Sequence, residues 1–222
     1  MSNFLQSKFG GTKIVHGVDI YAFDPCRLGK LEARRNLGLD DDSKYILFSG
    51  MPREHKGVEE LIKSVVNLNL KNLRLLMVGG DIQNSYYKRL LSLGGECILS
   101  FGPRPHSEMA TFLAAADIVV LPQRKTVFSE AQVPAKVFEA MAMAKPIIST
   151  NVSDLPEILD GCGIIVKSSL DTMVLESQIE MLLDDMLESS VIGARAREKC
   201  ISQYSWDTME KKIVPIFQIL IN

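Results

Sequence analysis

Two rhythms of apolar residues alternate along this chain. Runs at 45–49, 73–78, 97–101, 117–121, 147–150 and 163–166 have the length of strands and the near-continuous apolar character of strands buried on both faces. Between them, 58–68, 85–93, 106–115 and 133–144 place apolar residues three and four apart, the spacing of a helix lying on a sheet. Strands alternating with helices of this length specify a parallel sheet covered on both sides. The expected fold class is therefore α/β, a doubly wound parallel sheet of Rossmann-like type. Outside the series, residues 2–25 are irregular and 28–39 read as a helix. Two more helices are expected at 170–187 and about 190–203, followed by a last helix opening at Tyr204-Ser205-Trp206 with an apolar stripe of Met209, Ile213, Ile216, Phe217 and Leu220.

Doubly wound sheets bind ligands at the carboxyl ends of their strands, so the polar residues there are the candidates for chemistry. The first strand runs into Gly50, Arg53, Lys56 and Gly57 just before a helix begins. A glycine turn, two cations and a helix N-terminus all favour an anion such as phosphate, although a solvated loop has the same composition. The spacing is neither Gly-x-Gly-x-x-Gly nor a P-loop, which removes the main support for a dehydrogenase or an ATPase. The second and third strands end in Gly79-Gly80-Asp81 and Phe101-Gly102-Pro103-Arg104, which are either tight turns or places where backbone approaches a ligand. After the fourth strand, Arg124 and Lys125 either are solvated or add to an anion clamp. Asp40-Asp41-Asp42 lies in a helix-to-strand turn and reads as a solvated loop rather than a metal site, and Gly161-Cys162-Gly163 leads into a strand and reads as a turn.

The stretch from Gln132 to Thr150 organises the rest. Val133, Val137, Met141 and Ala144 form the apolar stripe of a short helix with Pro134 in its first turn, and Lys145-Pro146 stops it before the strand Ile147-Ile148-Ser149-Thr150. Lys136 and Glu139 fall on a face that the stripe does not use, either as an ordinary surface pair or as ligand groups. Phe138-Glu-Ala-Met-Ala-Met-Ala-Lys-Pro-Ile resembles the signature of the GT-B retaining glycosyltransferases of the family-4 type. The resemblance implies that Glu139 holds the ribose hydroxyls of a nucleotide sugar and that Arg53 and Lys56 grip its diphosphate, with Gly50, Gly57, Gln132 and Lys136 around it. Gly102 and Arg104 would border the nucleobase. A second glutamate common in that family falls here on Ala131, with Glu130 one place away. The Arg53-Glu-His-Lys-Gly order departs from the commoner arrangement, in which the arginine follows the first glycine, where this chain has Met51.

The implied activity is transfer of a sugar from a UDP-, GDP- or ADP-sugar to a hydroxyl acceptor, a glycan or lipid-linked sugar, with retained configuration and no metal or cofactor. Gly17-Val18-Asp19 and Phe23-Asp24-Pro25 resemble the linker between the two domains of such enzymes. This divides the chain into a linker remnant (1–25), a nucleotide-sugar-binding domain (26–203) and a C-terminal helix (204–222) that would pack on an acceptor domain. The expectation is the donor-binding half of a transferase, able to bind donor but a poor transferase alone, with a dimer or a separate acceptor domain covering the last helix. A donor-binding module of a split transferase and a GT-B sugar-nucleotide epimerase are the alternatives.

Composition changes this picture little. With 222 residues, 46% of them hydrophobic, the chain can fill a sizeable core, and 25 basic against 27 acidic residues give no general attraction to nucleic acid. Cys26, Cys97, Cys162 and Cys200 are far apart and His16, His55 and His106 lack ligand spacing, so zinc is not expected and the cysteines read as reduced core residues. Neither a signal segment nor a membrane-spanning run is legible. The expected setting is the cytoplasm, including the membrane periphery.

Overall fold

The computed structural model describes residues 2–167 and 171–221, with the side chains of 219–221 outside the described set. In chain order the elements are α1 (Asn3–Phe9), α2 (Lys30–Asn36), β1 (Lys44–Ser49), α3 (Val58–Leu68), β2 (Leu73–Val78), α4 (Ser85–Gly94), β3 (Ile98–Gly102) and α5 (Met109–Ala115). They continue with β4 (Ile118–Leu121), α6 (Val127–Glu130), α7 (Lys136–Ala142), β5 (Ile147–Thr150), α8 (Leu155–Ile158), β6 (Ile164–Val166), α9 (Thr172–Asp184), α10 (Met186–Tyr204) and α11 (Trp206–Ile221). The six strands form one sheet in the order β3-β2-β1-β4-β5-β6, and every pairing is parallel. The chain reverses its direction of travel across the sheet between β1 and β4, which places the crevice for a ligand there.

Alternation within the strands builds the core in two layers. Tyr45, Leu47, Leu76, Val78, Val119 and Leu121 face one side and pack with buried residues of α2, α5, α7 and α10. Their neighbours Ile46, Phe48, Leu75, Met77, Ile118 and Val120 face the other side, under α3, α4 and α9. A strand buried on both faces needs no polar positions, which is why these runs read as unbroken apolar stretches.

At the amino ends of the strands Asp117 is buried and answers three donors: the Arg34 guanidinium at 2.8 Å, the Tyr45 amide at 2.7 Å and the Lys30 ammonium. Lys145 crosses to the carbonyls of Ala114 and Ala116 at 3.0 and 2.8 Å. The Asp40-Asp41-Asp42 triplet lies on this same side, leading into β1 and away from the strand ends that frame the crevice, with Asp40 accepting from the Ser43 hydroxyl at 2.7 Å.

Several expectations are corrected. The helix read at 28–39 is only Lys30–Asn36: Gly29 is its extended N-cap, and at the other end the Leu37 amide closes the last turn before Gly38 takes φ +67°. The helix read at 106–115 begins as a 3-10 turn at His106–Glu108 and becomes α-helical at Met109. Pro134 precedes the central helix rather than entering its first turn, since α7 starts at Lys136. Residues 2–9 hold a helix capped by the Ser2 hydroxyl, and the polar loop after β4 contains the short helix α6, closed by a Thr126–Ser129 capping box. Asp185 divides the last third differently from expectation, ending α9 and capping α10, which runs to Tyr204. The start of α9 read at Leu170 and the Leu220 position of the final stripe lie outside the described residues or side chains. All four cysteines are free, but only Cys162 and Cys200 are buried; Cys26 is exposed.

The two ends of the chain meet. Val18 and Ser205 form a parallel bridge, with the Val18 amide 2.9 Å from the Tyr204 carbonyl and the Trp206 amide 3.0 Å from the Val18 carbonyl. The start of α1 is held by Asp154, whose carboxylate accepts the Asn3 amide at 3.0 Å and pairs with Lys13 at 2.8 Å.

Candidate functional site

A cavity of about 380 Å³ opens where the loops after β1 and β4 meet the segment leading into α7. Arg53, Lys56, Gln132 and Lys136 line it together with Met51, His55, Gln123 and Phe128. Gly50 and Gly57 frame its cationic side. Gly50 has φ +104°, and a Cβ there would collide with the Lys136 ammonium and stand 3.6 Å from the Lys56 ammonium. Only glycine both adopts this backbone and leaves room for two lysines to converge on one strand end. Gly57, at φ +59°, closes the turn that carries Lys56 and opens α3.

The two lysines are held by backbone carbonyls rather than carboxylates. Lys56 Nζ donates to the Met51 carbonyl at 2.9 Å, and Lys136 Nζ donates to the Ser49 carbonyl and lies 5.4 Å from the Phe48 ring centre. Burial lowers the Lys56 pKa, and the Arg53 charge lowers it further. Lys136 falls from 10.5 to about 7, chiefly through burial and then through the nearby Lys56, with Glu139 opposing in part. Like charges crowded away from water raise the free energy of the charged state, and an anion between them relieves it. Arg53 is exposed, its guanidinium 4.0 Å from the Met51 sulfur.

Lys136 and Glu139, neighbours in sequence, serve different spaces. Glu139 turns to a second cavity of about 240 Å³, which it lines with His106, Phe23 and Trp206, and its carboxylate meets His106 Nε2 at 2.9 Å. Gly102 accepts the Gly79 amide at 2.7 Å, tying the ends of β2 and β3 together. Arg104 donates to the Phe101 carbonyl at 3.0 Å and stands 3.6 Å from Glu108. Neither Gly102 nor Arg104 lines the two cavities. In the first turn of α7 the Val137 amide donates to the Pro134 carbonyl at 3.1 Å and the Phe138 amide to the Ala135 carbonyl at 3.0 Å. Arg124 pairs with Glu60 on α3 and its amide donates to the His55 carbonyl at 2.8 Å. It fastens the β4 loop to the β1 loop and does not enter the cavity.

The family resemblance puts the loop from Leu121 to Glu130 beside the sugar and diphosphate, but the sequence gives no separate role to Gln123 or Phe128 in it, to His55 in the loop after β1, or to the pairing of His106. Gln123 carries a legible signal, as the first polar residue after the apolar run of β4. The contact of His55 with Phe128, ring centres 5.0 Å apart, has none, because it joins two loops 73 positions apart in the chain.

Residues 43–185 match the family described as Glycosyl transferases group 1. The chain belongs to this family. It is 28% identical over 208 residues to a GDP-mannose-dependent monoacylated alpha-(1-6)-phosphatidylinositol monomannoside mannosyltransferase of Corynebacterium glutamicum, an alignment covering 91% of this chain and 54% of that protein. Among solved structures, a C-terminal domain of a glycosyl transferase group 1 family protein (LpcC) from Francisella tularensis superposes with a TM-score of 0.72 at 21% identity, over 86% of this chain and all of that one. HepE of Anabaena, in complex with UDP and glucose, superposes with a TM-score of 0.82 at 19% identity, over 98% of this chain and 61% of that one. Likeness at these identities fixes the fold, a Rossmann-like half of GT-B type. The group 1 chain described here spans about half the length of the curated relatives it matches.

Proposed function

We propose that this chain binds the donor of a retaining glycosyltransferase, holding the diphosphate of a nucleoside diphosphate sugar in the cationic cavity for transfer of the sugar to a hydroxyl acceptor. The observation that carries this reading is the convergence of Lys56 and Lys136 over Gly50, with Arg53 on the same cavity, at the topological switch point of the sheet. Two similar proteins agree with it: the Corynebacterium glutamicum mannosyltransferase is GDP-mannose-dependent, and HepE of Anabaena, alike in fold, was crystallised with UDP and glucose.

As the bond between sugar and diphosphate breaks, negative charge grows on the leaving phosphate. Fixed cations in a site partly closed to water stabilise that charge without reorganising. Three cations on one cavity do this without a metal. Glu139, whose side chain is 14% exposed, would accept hydrogen bonds from ribose hydroxyls in exchange for its bond to His106. Transfer itself belongs to the full length of such enzymes, and donor binding is the part assigned to this half.

Binding of UDP, GDP and inorganic pyrophosphate, measured by calorimetry without added metal, tests the reading. Lys56→Ala should weaken all the ligands that bind. Glu139→Gln should weaken the nucleoside diphosphate by about 1.5 to 3 kcal/mol and leave pyrophosphate unchanged, since only the former carries ribose. Failure of both nucleotides to bind, with NADH binding instead, overturns the proposal.

A further inference from the structure

Gln123 stands at a point where the backbone has no freedom. β4 ends at Leu121, and the Gln123 amide bonds back to the Leu121 carbonyl at 3.0 Å, a tight turn about Pro122 of the kind common at strand ends. Its own carbonyl accepts the Thr150 hydroxyl at 2.6 Å from the end of β5. The side chain therefore leaves a fixed root and lines the same cavity as Arg53, Lys56 and Lys136. Its Nε2 is buried, yet among the described residues no acceptor reaches it. A buried amide without a partner is unfavourable, and a water or a ligand in the cavity it lines can supply the missing acceptor.

We propose that Gln123 is a sugar-reading residue of the donor site, its amide donating to an uncharged hydroxyl of the transferred sugar; this rests on the donor-binding reading above. The chemistry separates it from the clamp. The three cations match phosphate oxygens, which only accept. A primary amide both donates and accepts, as a hydroxyl does, and so matches a sugar oxygen on either side of its polarity. Its surroundings are those of a sugar as well: Leu121, Pro122, Met51 and Phe128 give apolar walls against which the C–H faces of a pyranose can lie.

Gln123→Met keeps the length of the side chain and removes both hydrogen-bonding atoms. Calorimetric titration of wild type and Gln123→Met with UDP, UDP-glucose, GDP and GDP-mannose separates the contributions. For whichever sugar nucleotide wild type binds best, the variant should bind about tenfold more weakly, while the matching bare diphosphate keeps its affinity within about twofold. The unliganded variant should melt at the same temperature as wild type or higher, because the amide it loses had no partner among the described residues; a residue needed only for folding would lower it. Equal weakening of sugar nucleotide and bare diphosphate overturns the proposal in favour of a phosphate contact or a structural role. Unchanged affinity for all four overturns it too, as does a wild type that binds sugar nucleotides no differently from bare diphosphates. A wild type that binds none of the four instead refutes the donor-binding reading on which the proposal stands.

Discussion

Lys136 shows how a residue can be visible in the sequence while its chemistry is not. Its spacing from Glu139 fits either an i,i+3 surface pair or a pair of ligand groups; the side chain turns away from Glu139, under the end of β1, where burial and Lys56 bring its pKa from 10.5 to about 7. The sign of the consequences follows. In the unliganded protein the folded state holds this proton less tightly than the unfolded chain. The unfavourable contribution of Lys136 is thus fully present below about pH 7 and relieved as pH rises from there towards 10.5. A bound diphosphate favours the charged ammonium, so binding above about pH 7 must draw in a proton, and affinity should fall with rising pH by at most roughly tenfold per unit. A nucleotide sugar is the better probe, because its diphosphate has no terminal phosphate that titrates in this range. Calorimetry at about pH 8 in two buffers of different ionisation enthalpy reads the proton directly. Lys136→Met should remove both the uptake and the slope; an affinity flat with pH in wild type contradicts the assignment.

At the scale of elements, the position of α7 decides the site, and α10 decides the position of α7. The two helices are in close contact, and Gly193 of α10 lies against the turn that ends α7. A Cβ at Gly193 would run into the Ala144 carbonyl, which cannot retreat because Ala144 already sits at φ +52° on the way into β5. Gly193→Ala should therefore destabilise the protein by about 2 kcal/mol, seen as a lower denaturant midpoint, through overpacking against backbone. Ser190→Ala, at an exposed position one turn earlier on the same helix, should change it by less than about 0.5 kcal/mol. Equal stability of the two variants would mean that α10 is not pressed against α7 as described. Nothing in the local sequence around Gly193 announced this contact, since a glycine within a helical pattern ordinarily reads only as a weakness of the helix.

For the whole molecule, the feature that bears on assembly is α11. Met209 is buried, Ile213 and Ile216 are half-buried, and Trp206, Val214 and Phe217 are exposed, so α11 is only partly packed onto α10. Exposed apolar residues grouped on one helix mark a surface that another protein surface covers. We expect the chain to self-associate in sedimentation experiments and Ile216→Asp with Phe217→Asp to leave it monomeric, with donor affinity retained. A monomeric wild type would overturn this expectation.

The sequence alone determined the sheet. Six apolar runs separated by helical spacing can be buried on both faces in only one class of architecture, and strands such as Leu73–Val78 and helices such as Val58–Leu68 fall where the pattern placed them. The turn glycine and cations after the first strand, Gly50, Arg53 and Lys56, stand out locally as anion-binding candidates, while Gln132 and Lys136 are singled out only by the family resemblance; the fold brings Arg53, Lys56, Gln132 and Lys136 to one cavity. Only the tertiary structure decided how the polar groups were divided. Glu139 went to His106 rather than to Lys136, Arg124 to Glu60 rather than to the cavity, and Gln123 Nε2 was left without a partner among the described residues. Each outcome depends on side chains from strands or loops distant in the chain meeting within about 3 Å, and hydrogen bonding at that range is set by how the layers pack rather than by any local pattern.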